Sequence, residues 1–339
     1  MKSLKNTPSG HDRGSSSISI PPGHDWGTDL INTSSDHHQG VSFSRNTPGF
    51  YRGILFAVAG CSCWGLSGIF AKILFEEKGV TALWLVTVRL LAAGMILLLF
   101  SLLKYRRAVF DVWRTRRDVS DLLVFAIFGM MPSQACFFLA INYSNPAVAT
   151  VLQYISPVLI MLVCCFRDRK LPTGSEIVIL FAVMTGVFLM STHGRLDQLA
   201  ITPRALFWGL AAAVAVMVYT VQPARLIGRF GTLPIVGWGM LLGGVILLPF
   251  TRPWAHMPSA DMDTVLLVVL VVLVGTVFAF TGYLQGVKIV GPVKGIMIAG
   301  LEPVVSVIFT SLILHVSFSG WDILGMVLVV LSVTLMAVL

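Results

Sequence analysis

The stretch "PVKGIMIAGLEPVVSVIFTSLIL", residues 292–314, decides the fold, because it is mainly apolar and has only two charged residues, Lys294 near its start and Glu302 near its centre. A helix of this length is long enough to cross the hydrocarbon core of a bilayer, which is about 30 Å thick. An ionised side chain at the bilayer centre costs roughly 2.5 to 3.5 kcal/mol on insertion scales. We therefore expect Glu302 to be neutralised, paired or directed into a cavity.

The composition of the whole chain agrees with a membrane location. Of its 339 residues, 56% are hydrophobic and only 12% are charged, whereas soluble domains carry about 25% charged residues. Hydropathy predicts ten spans between residues 53 and 339, each of roughly 17 to 23 residues. Such lengths favour helices over the strands of a barrel, which need about ten residues. The sequence therefore predicts an all-α, multi-pass integral membrane protein.

Residues 1–50 differ from the rest, since they are rich in Ser, Gly, Pro, Asn and His and have no long apolar run. This composition predicts a disordered tail. The five cysteines all fall within predicted spans, at spacings that suggest neither a disulfide framework nor a zinc site. We expect no cofactor and no metal.

The basic residues are distributed unevenly between the two sides of the predicted spans. If the tail is cytoplasmic, 18 of the 24 Lys and Arg lie in inside segments, four lie outside and two, Lys72 and Arg89, lie within spans. The positive-inside rule then predicts that both termini are cytoplasmic. We expect the protein to lie in the plasma or inner membrane. The net charge of +8 is explained by this topology, so we expect no nucleic-acid partner.

The second half of the chain repeats the first at a distance of 146 residues. Four glycine or proline landmarks coincide at that shift: Gly129 with Gly275, Pro146 with Pro292, Pro157 with Pro303, and Gly174 with Gly320. The chain therefore reads as a tail followed by two five-helix units, residues 51–192 and 203–339. Because five is odd, the second unit enters the membrane from the opposite side. Inverted repeats of this kind are typical of secondary transporters, whose site lies between the halves.

The matched prolines, Pro157 and Pro303, predict kinks at the middle of the fourth and ninth spans. Each proline frees the carbonyl four residues before it, at Gln153 and Ala299. Symmetry places Glu302 where the first repeat has Ser156. We expect the prolines to act as hinges and Glu302 to face the interior, either as a functional carboxylate or as a protonated one that holds helices together.

Arg89 is the other ionisable residue deep within a span. It is expected either to contact an anionic group of a ligand or to serve as a fixed partner for carbonyls and Glu302. A pocket for a small organic molecule also needs an apolar wall with a few polar groups, and several spans supply them. The candidate binding residues are Trp64, Arg89, Gln134, Gln153, Tyr154, Tyr219, Tyr283 and Glu302. A segment with small residues at Gly239 and Gly243 permits close helix approach, either within the chain or in a homodimer.

The sequence resembles the drug/metabolite transporter superfamily, and within it the EamA-type members with ten spans. The resemblance covers about residues 53–339 and is carried by Trp64-Gly65, "RLLAAG" from Arg89, "NPAVATVLQYISPVL" from Asn145 and "LEPVVSVI" from Leu301. It implies that Trp64, Arg89 and Glu302 occupy positions that recur in the family. The glutamate that often follows the span-four and span-nine motifs is absent, with Arg169-Lys170 and His315-Val316 in its place.

The resemblance implies export of a small metabolite such as an amino acid or amine through a cavity between the halves. A multidrug carrier for organic cations and a channel-like facilitator remain open as alternatives. A sugar-nucleotide carrier is less favoured, because few cations lie deep enough to hold a diphosphate. An intramembrane enzyme is least favoured, since no nucleophile with a base, aspartate pair or His-Glu-x-x-His motif lies in the spans. Glu302 is the candidate for coupling transport to protons.

The charge asymmetry makes a prediction about topology. A reporter fused to the C-terminus should behave as cytoplasmic, and one inserted in the loop near Trp254 should behave as external. Paired phosphatase and fluorescent-protein fusions measure both positions. An external C-terminus would contradict both the even number of spans and the inverted repeat.

Overall fold

A computed structural model describes residues 49–143, 146–195, 202–255, 257–259, 261–314 and 319–338, all within one structural unit. In these ranges nine helices are long and apolar enough to cross a membrane, and a tenth has a shorter apolar stretch, Gly320–Met336. The prediction of an all-α, ten-span protein is confirmed. The tail up to residue 48, Asn145 and the pair His315-Val316 lie outside the described residues.

The ten spans are numbered in chain order, and three of them have two parts. They are α1 (Phe50–Glu76), α2 (Ala82–Tyr105), α3 (Arg116–Tyr143), α4a (Pro146–Gln153) and α4b (Ser156–Asp168), α5 (Gly174–Thr192), α6a (Pro203–Val221) and α6b (Ala224–Phe230), α7 (Thr232–Thr251), α8 (Met262–Val290), α9a (Pro292–Ala299) and α9b (Leu301–Leu314), and α10 (Gly320–Val338). A 3₁₀ segment, Arg106–Trp113, follows α2.

The starts of α5 and α10 show how the repeat appears in local structure. At α5, Thr173 N donates to Glu176 Oε2 at 2.8 Å and Glu176 N donates to Thr173 Oγ1 at 3.3 Å. At α10, Ser319 N donates to Asp322 Oδ2 at 2.8 Å and Asp322 N donates to Ser319 Oγ at 3.2 Å. Both are capping boxes, which satisfy the first free backbone donors of a helix. The two boxes are 146 residues apart, so both repeats begin their fifth helix by the same device.

Helices of one repeat pack mainly against helices of the other. The helix α1 packs on α8 and on α9b, and α6a packs on α3 and on both parts of α4. The remaining long contacts join α2 to α7 and α5 to α10. The first helix of each half thus lies against the third and fourth helices of the other half. This exchange places the middle of both broken helices next to a helix from the opposite repeat.

Glycines allow these helices to approach at backbone distance. A Cβ atom added at Gly60 of α1 would lie 2.6 Å from Tyr283 N of α8, and one added at Gly286 of α8 would lie 2.6 Å from Ala57 N. The glycines at 239 and 243 pack on Phe125 and Met131 of α3. The small-residue segment of α7 is therefore used within the chain. Such contacts are the usual means of helix association in lipid, where apolar burial alone gives little driving force.

The third helix of each repeat contains one widened, π-helical turn. These turns are Phe125–Met130 in α3 and Leu273–Phe278 in α8. Each includes a glycine of the sequence repeat, and each glycine contacts the first helix of the other half: Gly129 lies against Tyr219, and Gly275 against Ser67. Single π-helical turns occur most often at functional sites. Here they mark the part of α3 and α8 that lies closest to the opposite repeat.

The contact between α5 and α10 gives a test of this packing. A Cβ added at Gly186 would lie 2.7 Å from the backbone oxygen of Gly325, so Gly186→Ala should lower the apparent unfolding temperature, by the equivalent of about 1 to 3 kcal/mol. The matched control is Gly68→Ala, because the nearest atom to a Cβ at that helical position is 4.0 Å away. Thermal unfolding in detergent measures both. Equal unfolding temperatures for the two variants would contradict the backbone contact.

Candidate functional site

The fourth and ninth helices are both interrupted at mid-span, and at equivalent positions. The α4 helix is broken at Tyr154 and Ile155, and the α9 helix at Gly300. Tight turns replace the α-helical bonds there: Ile155 N donates to Leu152 O at 3.2 Å, and Gly300 N donates to Met297 O at 3.1 Å. The breaks come directly after the carbonyls that the sequence predicted to be freed. Their action as hinges stays a prediction.

Pro157 and Pro303 lie in the first turns of α4b and α9b, the half-helices that restart after the breaks. A proline is well tolerated there because its missing N–H would have no partner inside the helix. Glu302 lies in the same first turn of α9b. A helix N-terminus carries a partial positive charge that favours a carboxylate. The chain restart therefore places the Glu302 carboxylate at the positive end of the α9b dipole.

Close packing fixes Glu302 against the first repeat. A Cβ added at Gly65 of α1 would lie 2.5 Å from the backbone oxygen of Glu302 and 3.0 Å from Ser306 N. The neighbouring Trp64 therefore lies on the helix that touches Glu302 directly. Both side chains keep some accessible surface although they belong to the middle of their spans.

An aromatic cluster joins the two repeats beside this contact. The ring centroid of Trp64 is 4.8 Å from that of Phe280 and 5.0 Å from that of Tyr283. The ring of Tyr219 lies 5.8 Å from Phe280 and 6.2 Å from Tyr283. These distances are typical of favourable edge-to-face or tilted aromatic pairs. The cluster takes one ring from α1, one from α6a and two from α8.

Arg89 of α2 is buried, with 9% of its surface exposed, and its Nε has no hydrogen-bond partner among the described residues. Its charge and that of Glu302 act on each other, but no salt bridge joins the two described side chains. The predicted alternative of Arg89 as a fixed partner for Glu302 would require direct contact. The geometry instead leaves the guanidinium with unused hydrogen-bonding capacity near a carboxylate.

Several other buried polar atoms near these residues also lack a partner within the described part of the chain. They are the hydroxyls of Tyr154, Thr220 and Tyr283 and both amide atoms of Gln134. Glu302 is near enough to Tyr154, Tyr219 and Tyr283 for its charge to act on their hydroxyls. A buried polar atom left unpaired costs about 1 to 3 kcal/mol, so a group of them is rare without a functional reason. The region offers donors and acceptors to a polar small molecule.

The predicted site residues therefore meet only in part. Trp64, Tyr219 and Tyr283 are in ring contact. The charge of Glu302 acts on Tyr154, Tyr219 and Tyr283, and Arg89 interacts electrostatically with Glu302. Gln153 instead donates from Nε2 to Ser133 O at 3.4 Å, which ties α4a to α3 beside Gln134.

Sequence reasoning missed two members of the site, Phe280 and Thr220. Phe280 lies one helical turn before Tyr283, so the spacing of the two aromatic residues is the signal that would have found it. Thr220 follows Tyr219 directly and carried no comparable signal. Neither was polar enough, or isolated enough in an apolar span, to stand out.

One end of the helix bundle is held by buried ion pairs between α3 and α6b. The side chain of Asp118 is only 1% exposed. Its carboxylate accepts from Arg225 Nη2 at 2.6 Å and from Arg229 Nη1 at 2.7 Å. Arg225 also donates to Asp121 Oδ2, at 2.6 Å from Nη2 and 3.0 Å from Nε. Arginine forks that bind carboxylates at more than one point are the stronger class of ion pair. We call this set the α3–α6 clasp.

The opposite end has an ion pair between α1 and α8. Lys78 Nζ lies 2.6 Å from Asp261 Oδ2, and Thr264 and Ser259 each donate to Asp261 Oδ1, at 2.6 and 2.7 Å. These are the helices that correspond to α6 and α3 under the 146-residue repeat. Because α1 and α3 start on the same face, Lys78 at the end of α1 and Asp118 at the start of α3 are on opposite faces. We call this pair the α1–α8 clasp.

The hydrogen bonds of the α1–α8 clasp determine its response to pH. The hydrogen bonds from Lys78, Thr264 and Ser259 hold the pKa of Asp261 well below its usual range. A depressed carboxyl pKa contributes stability that is present above about pH 4, the pKa of a free aspartate, and is lost as the pH falls further. The α1–α8 clasp therefore stays closed at neutral and mildly acidic pH, although its exposure to solvent makes it the weaker of the two.

Comparison with known proteins places this architecture in a family. The model of the EamA-like transporter family matches residues 51–192 and 203–338. The chain belongs to the EamA-like transporter family. It is thus a multi-pass membrane protein of a transporter family, and the resemblance found in its sequence is confirmed.

Two curated EamA-like relatives and one solved structure are similar over most of the chain. The protein named "Uncharacterized inner membrane transporter YicL" from Salmonella typhimurium strain LT2 is 38% identical over 277 residues, which are 81% of this chain and 91% of that protein. The protein named "Uncharacterized transporter YetK" from Bacillus subtilis strain 168 is 27% identical over 64% of this chain and 67% of its own length. A protein of known crystal structure superimposes on this chain with a TM-score of 0.70 and 17% sequence identity. The match includes 85% of this chain and 98% of that protein's chain, which shows a shared fold.

The α3–α6 clasp of this EamA-like protein makes a prediction about stability. Asp118→Asn keeps the size of the side chain but removes the charge that pairs with Arg225 and Arg229. We expect the unfolding free energy to fall by about 1.5 to 3 kcal/mol, the range for hydrogen bonds to a charged group. Thermal unfolding in detergent is the measurement, with Asp111→Asn as a control at an exposed ion pair on the same face. A variant as stable as the parent would show that the clasp does not hold α3 to α6b.

Proposed function

We propose that this EamA-like protein is a secondary active transporter that exports a small organic metabolite, such as an amino acid or an amine, by alternating access. One observation carries the proposal: the polar and aromatic cluster is built from both repeats and lies between two clasps at opposite ends. Such a cluster can bind a substrate at mid-membrane depth, and equivalent clasps at the two faces allow one to open while the other stays closed.

In this mechanism the two five-helix units rock about the cluster. Opening the α1–α8 clasp separates the ends of α1 and α8 on one face, and opening the α3–α6 clasp separates α3 and α6b on the other. The breaks at Ile155 and Gly300 would take up the bending, since a helix that is already interrupted has fewer hydrogen bonds to lose. Pro157 and Pro303 would then act as the predicted hinge residues.

Glu302 is the residue that we assign to proton coupling. It is a carboxylate at mid-span, it touches α1 through its backbone, and its charge acts on Tyr219 and Tyr283 of the aromatic cluster. Proton exchange at Glu302 would change the charge next to Arg89 and thereby the affinity for a substrate. Asp261 of the α1–α8 clasp is a poorer candidate, because its hydrogen bonds hold its pKa well below the usual range of an aspartate.

A multidrug carrier for organic cations is the second candidate, and a specific observation favours it. Four rings, those of Trp64, Tyr219, Phe280 and Tyr283, are grouped beside the carboxylate of Glu302. Aromatic faces attract cations, and a carboxylate supplies the counter-charge. Arg89 argues against a purely cationic substrate, because its fixed positive charge favours a substrate that also carries an anionic group. Uptake of ethidium against that of labelled amino acids by the same proteoliposomes separates the two.

A channel-like facilitator is disfavoured by the clasps, because an open pore would not need an ion pair at each end. Counterflow distinguishes the classes, since only a carrier exchanges internal unlabelled substrate for external labelled substrate.

We further propose an inner or plasma membrane location with both termini cytoplasmic. The protein would work as a monomer or a homodimer, states that light scattering in detergent distinguishes.

The coupling proposal predicts a specific defect in Glu302→Gln. The variant keeps the shape of the side chain and loses its titration, so it should bind and exchange substrate but not accumulate it when a pH gradient is imposed. The assay uses purified protein in proteoliposomes with whichever labelled amino acid, amine or cationic dye the wild type transports. Accumulation equal to that of the wild type would contradict the coupling role and leave Glu302 as a structural residue.

Two matched controls accompany that experiment. Glu176→Gln makes the same change at an exposed glutamate whose capping box accepts glutamine. Asp261→Asn removes the carboxylate of the α1–α8 clasp. Both variants should keep pH-driven accumulation, because both positions lie outside the polar and aromatic cluster to which the coupling step is assigned. Loss of accumulation in Asp261→Asn alone would move the coupling site to the clasp.

A further inference from the structure

We propose that the groove at the start of α3 binds an anionic phospholipid. The groove has a volume of about 420 Å³, lies on the outer side of α3 and is distinct from the polar cluster between the repeats. Its lining residues are Trp113, Arg114, Arg116, Val119, Ser120, Leu123, Val124, Ile127 and Phe128. The proposal is independent of the transported substrate.

The part of the groove between Val119 and Phe128 fits a hydrocarbon chain. Val119, Leu123 and Ile127 follow one another at intervals of four residues and so form a continuous apolar stripe along one face of α3. Phe128 is 61% exposed at the far end of this stripe. From Arg116 to Phe128 the helix rises by roughly 18 Å, which is most of the depth of one leaflet and its headgroup region. At this depth the occupant of an apolar groove is an acyl chain.

The end of the groove at Arg114 and Arg116 fits a phosphate group. Arg114 and Arg116 lie at its rim, and the side chain of Arg114 is 79% exposed although its Nε is paired with Asp111 Oδ1 at 3.1 Å. Ser120 adds a hydroxyl on the same side as the apolar stripe. Between residues 104 and 117 the chain has six Lys or Arg and one carboxylate, Asp111. The charge of the rim therefore complements an anionic headgroup and not a zwitterionic one.

The rim is held in place by aromatic packing and not by an exposed loop alone. The indole Nε1 of Trp238 donates to Val109 O at 3.0 Å, and the rings of Trp113 and Trp238 are 5.1 Å apart. Val109 and Val112 are buried beneath the 3₁₀ segment. Trp113 thus ends the segment at the level of the groove, where tryptophan is favoured at the boundary between headgroups and hydrocarbon.

The position of the groove gives the lipid a role in this fold. The residues of α3 that line it alternate with Asp118 and Asp121, which face the other way and form the α3–α6 clasp. A lipid that contacts Arg116, Val119 and Ser120 therefore stabilises the part of α3 that presents the clasp aspartates. Anionic lipid should raise the stability of the whole bundle through this helix end.

The test compares two pairs of arginines in the same segment. Wild type, Arg114→Gln/Arg116→Gln and Arg106→Gln/Arg107→Gln are purified in detergent and titrated with dioleoyl phosphatidylglycerol, with phosphatidylcholine as the zwitterionic comparison. Native mass spectrometry measures bound lipid, and thermal unfolding measures stabilisation. Each cation near a membrane surface contributes about fivefold to lipid affinity, so the groove variant should bind phosphatidylglycerol roughly 30-fold more weakly. Wild type and the control double variant should bind it alike.

Each of the other outcomes overturns the proposal. Equal weakening in both double variants would mean diffuse attraction to a basic surface. An equal response to phosphatidylcholine would remove the role of the arginines. Stabilisation by inorganic phosphate as large as that by phosphatidylglycerol would indicate a simple anion site without an acyl chain. A further variant, Ser120→Trp, fills the groove while keeping both arginines, and unchanged lipid binding in that variant would place the lipid elsewhere.

Discussion

Hydrocarbon offers no hydrogen-bond partner to a peptide group, and the architecture of this protein depends on that constraint. Within the described ranges, the spans other than α4 and α9 run through mid-membrane depth without a break of this kind. The breaks in α4 and α9 leave backbone groups with less than a full set of helical bonds. Such groups are stable only beside protein or a polar space. The glycines of α1 and α8 bring backbone against backbone at this depth, and so the interruptions are enclosed by the opposite repeat.

The same arrangement determines where charge can be placed. Arg89 and Glu302 carry opposite charges in a region of low dielectric constant, and their mutual attraction lowers the cost of burying either one. Because they do not touch, each keeps hydrogen-bonding positions that a direct salt bridge would occupy.

The sequence predicted the architecture well, because hydropathy and the 146-residue repeat are both strong signals. It singled out Trp64, Tyr219 and Tyr283, whose rings meet in the structure, and Glu302, since a polar or aromatic residue stands out in an apolar span. It did not predict the clasps. Hydropathy windows end at the first charged residues, whereas α3 begins at Arg116 and presents Asp118 and Asp121 from its first two turns.

Contacts between residues on different helices could not be predicted where no sequence pattern links the two residues. The contact of Gly65 with the backbone of Glu302 depends on the crossing of α1 and α9b, and glycine alone does not indicate which helix it will meet. Gln153 is a predicted binding residue, and its hydrogen bond from α4a to Ser133 O of α3 had no signal in the sequence. In both cases the deciding factor is the relative placement of two helices, which local spacing does not encode.

The π-helical turns of α3 and α8 have a consequence for the comparison of related chains. A π-helical turn accommodates one more residue than an α-helical turn, so the helix on either side keeps its facing while the numbering moves on by one. A relative with regular helices at these places would need single-residue gaps near Gly129 and Gly275 in a correct alignment. An ungapped alignment would pair residues that point in different directions over the remainder of each helix, including the face of α8 that bears Tyr283.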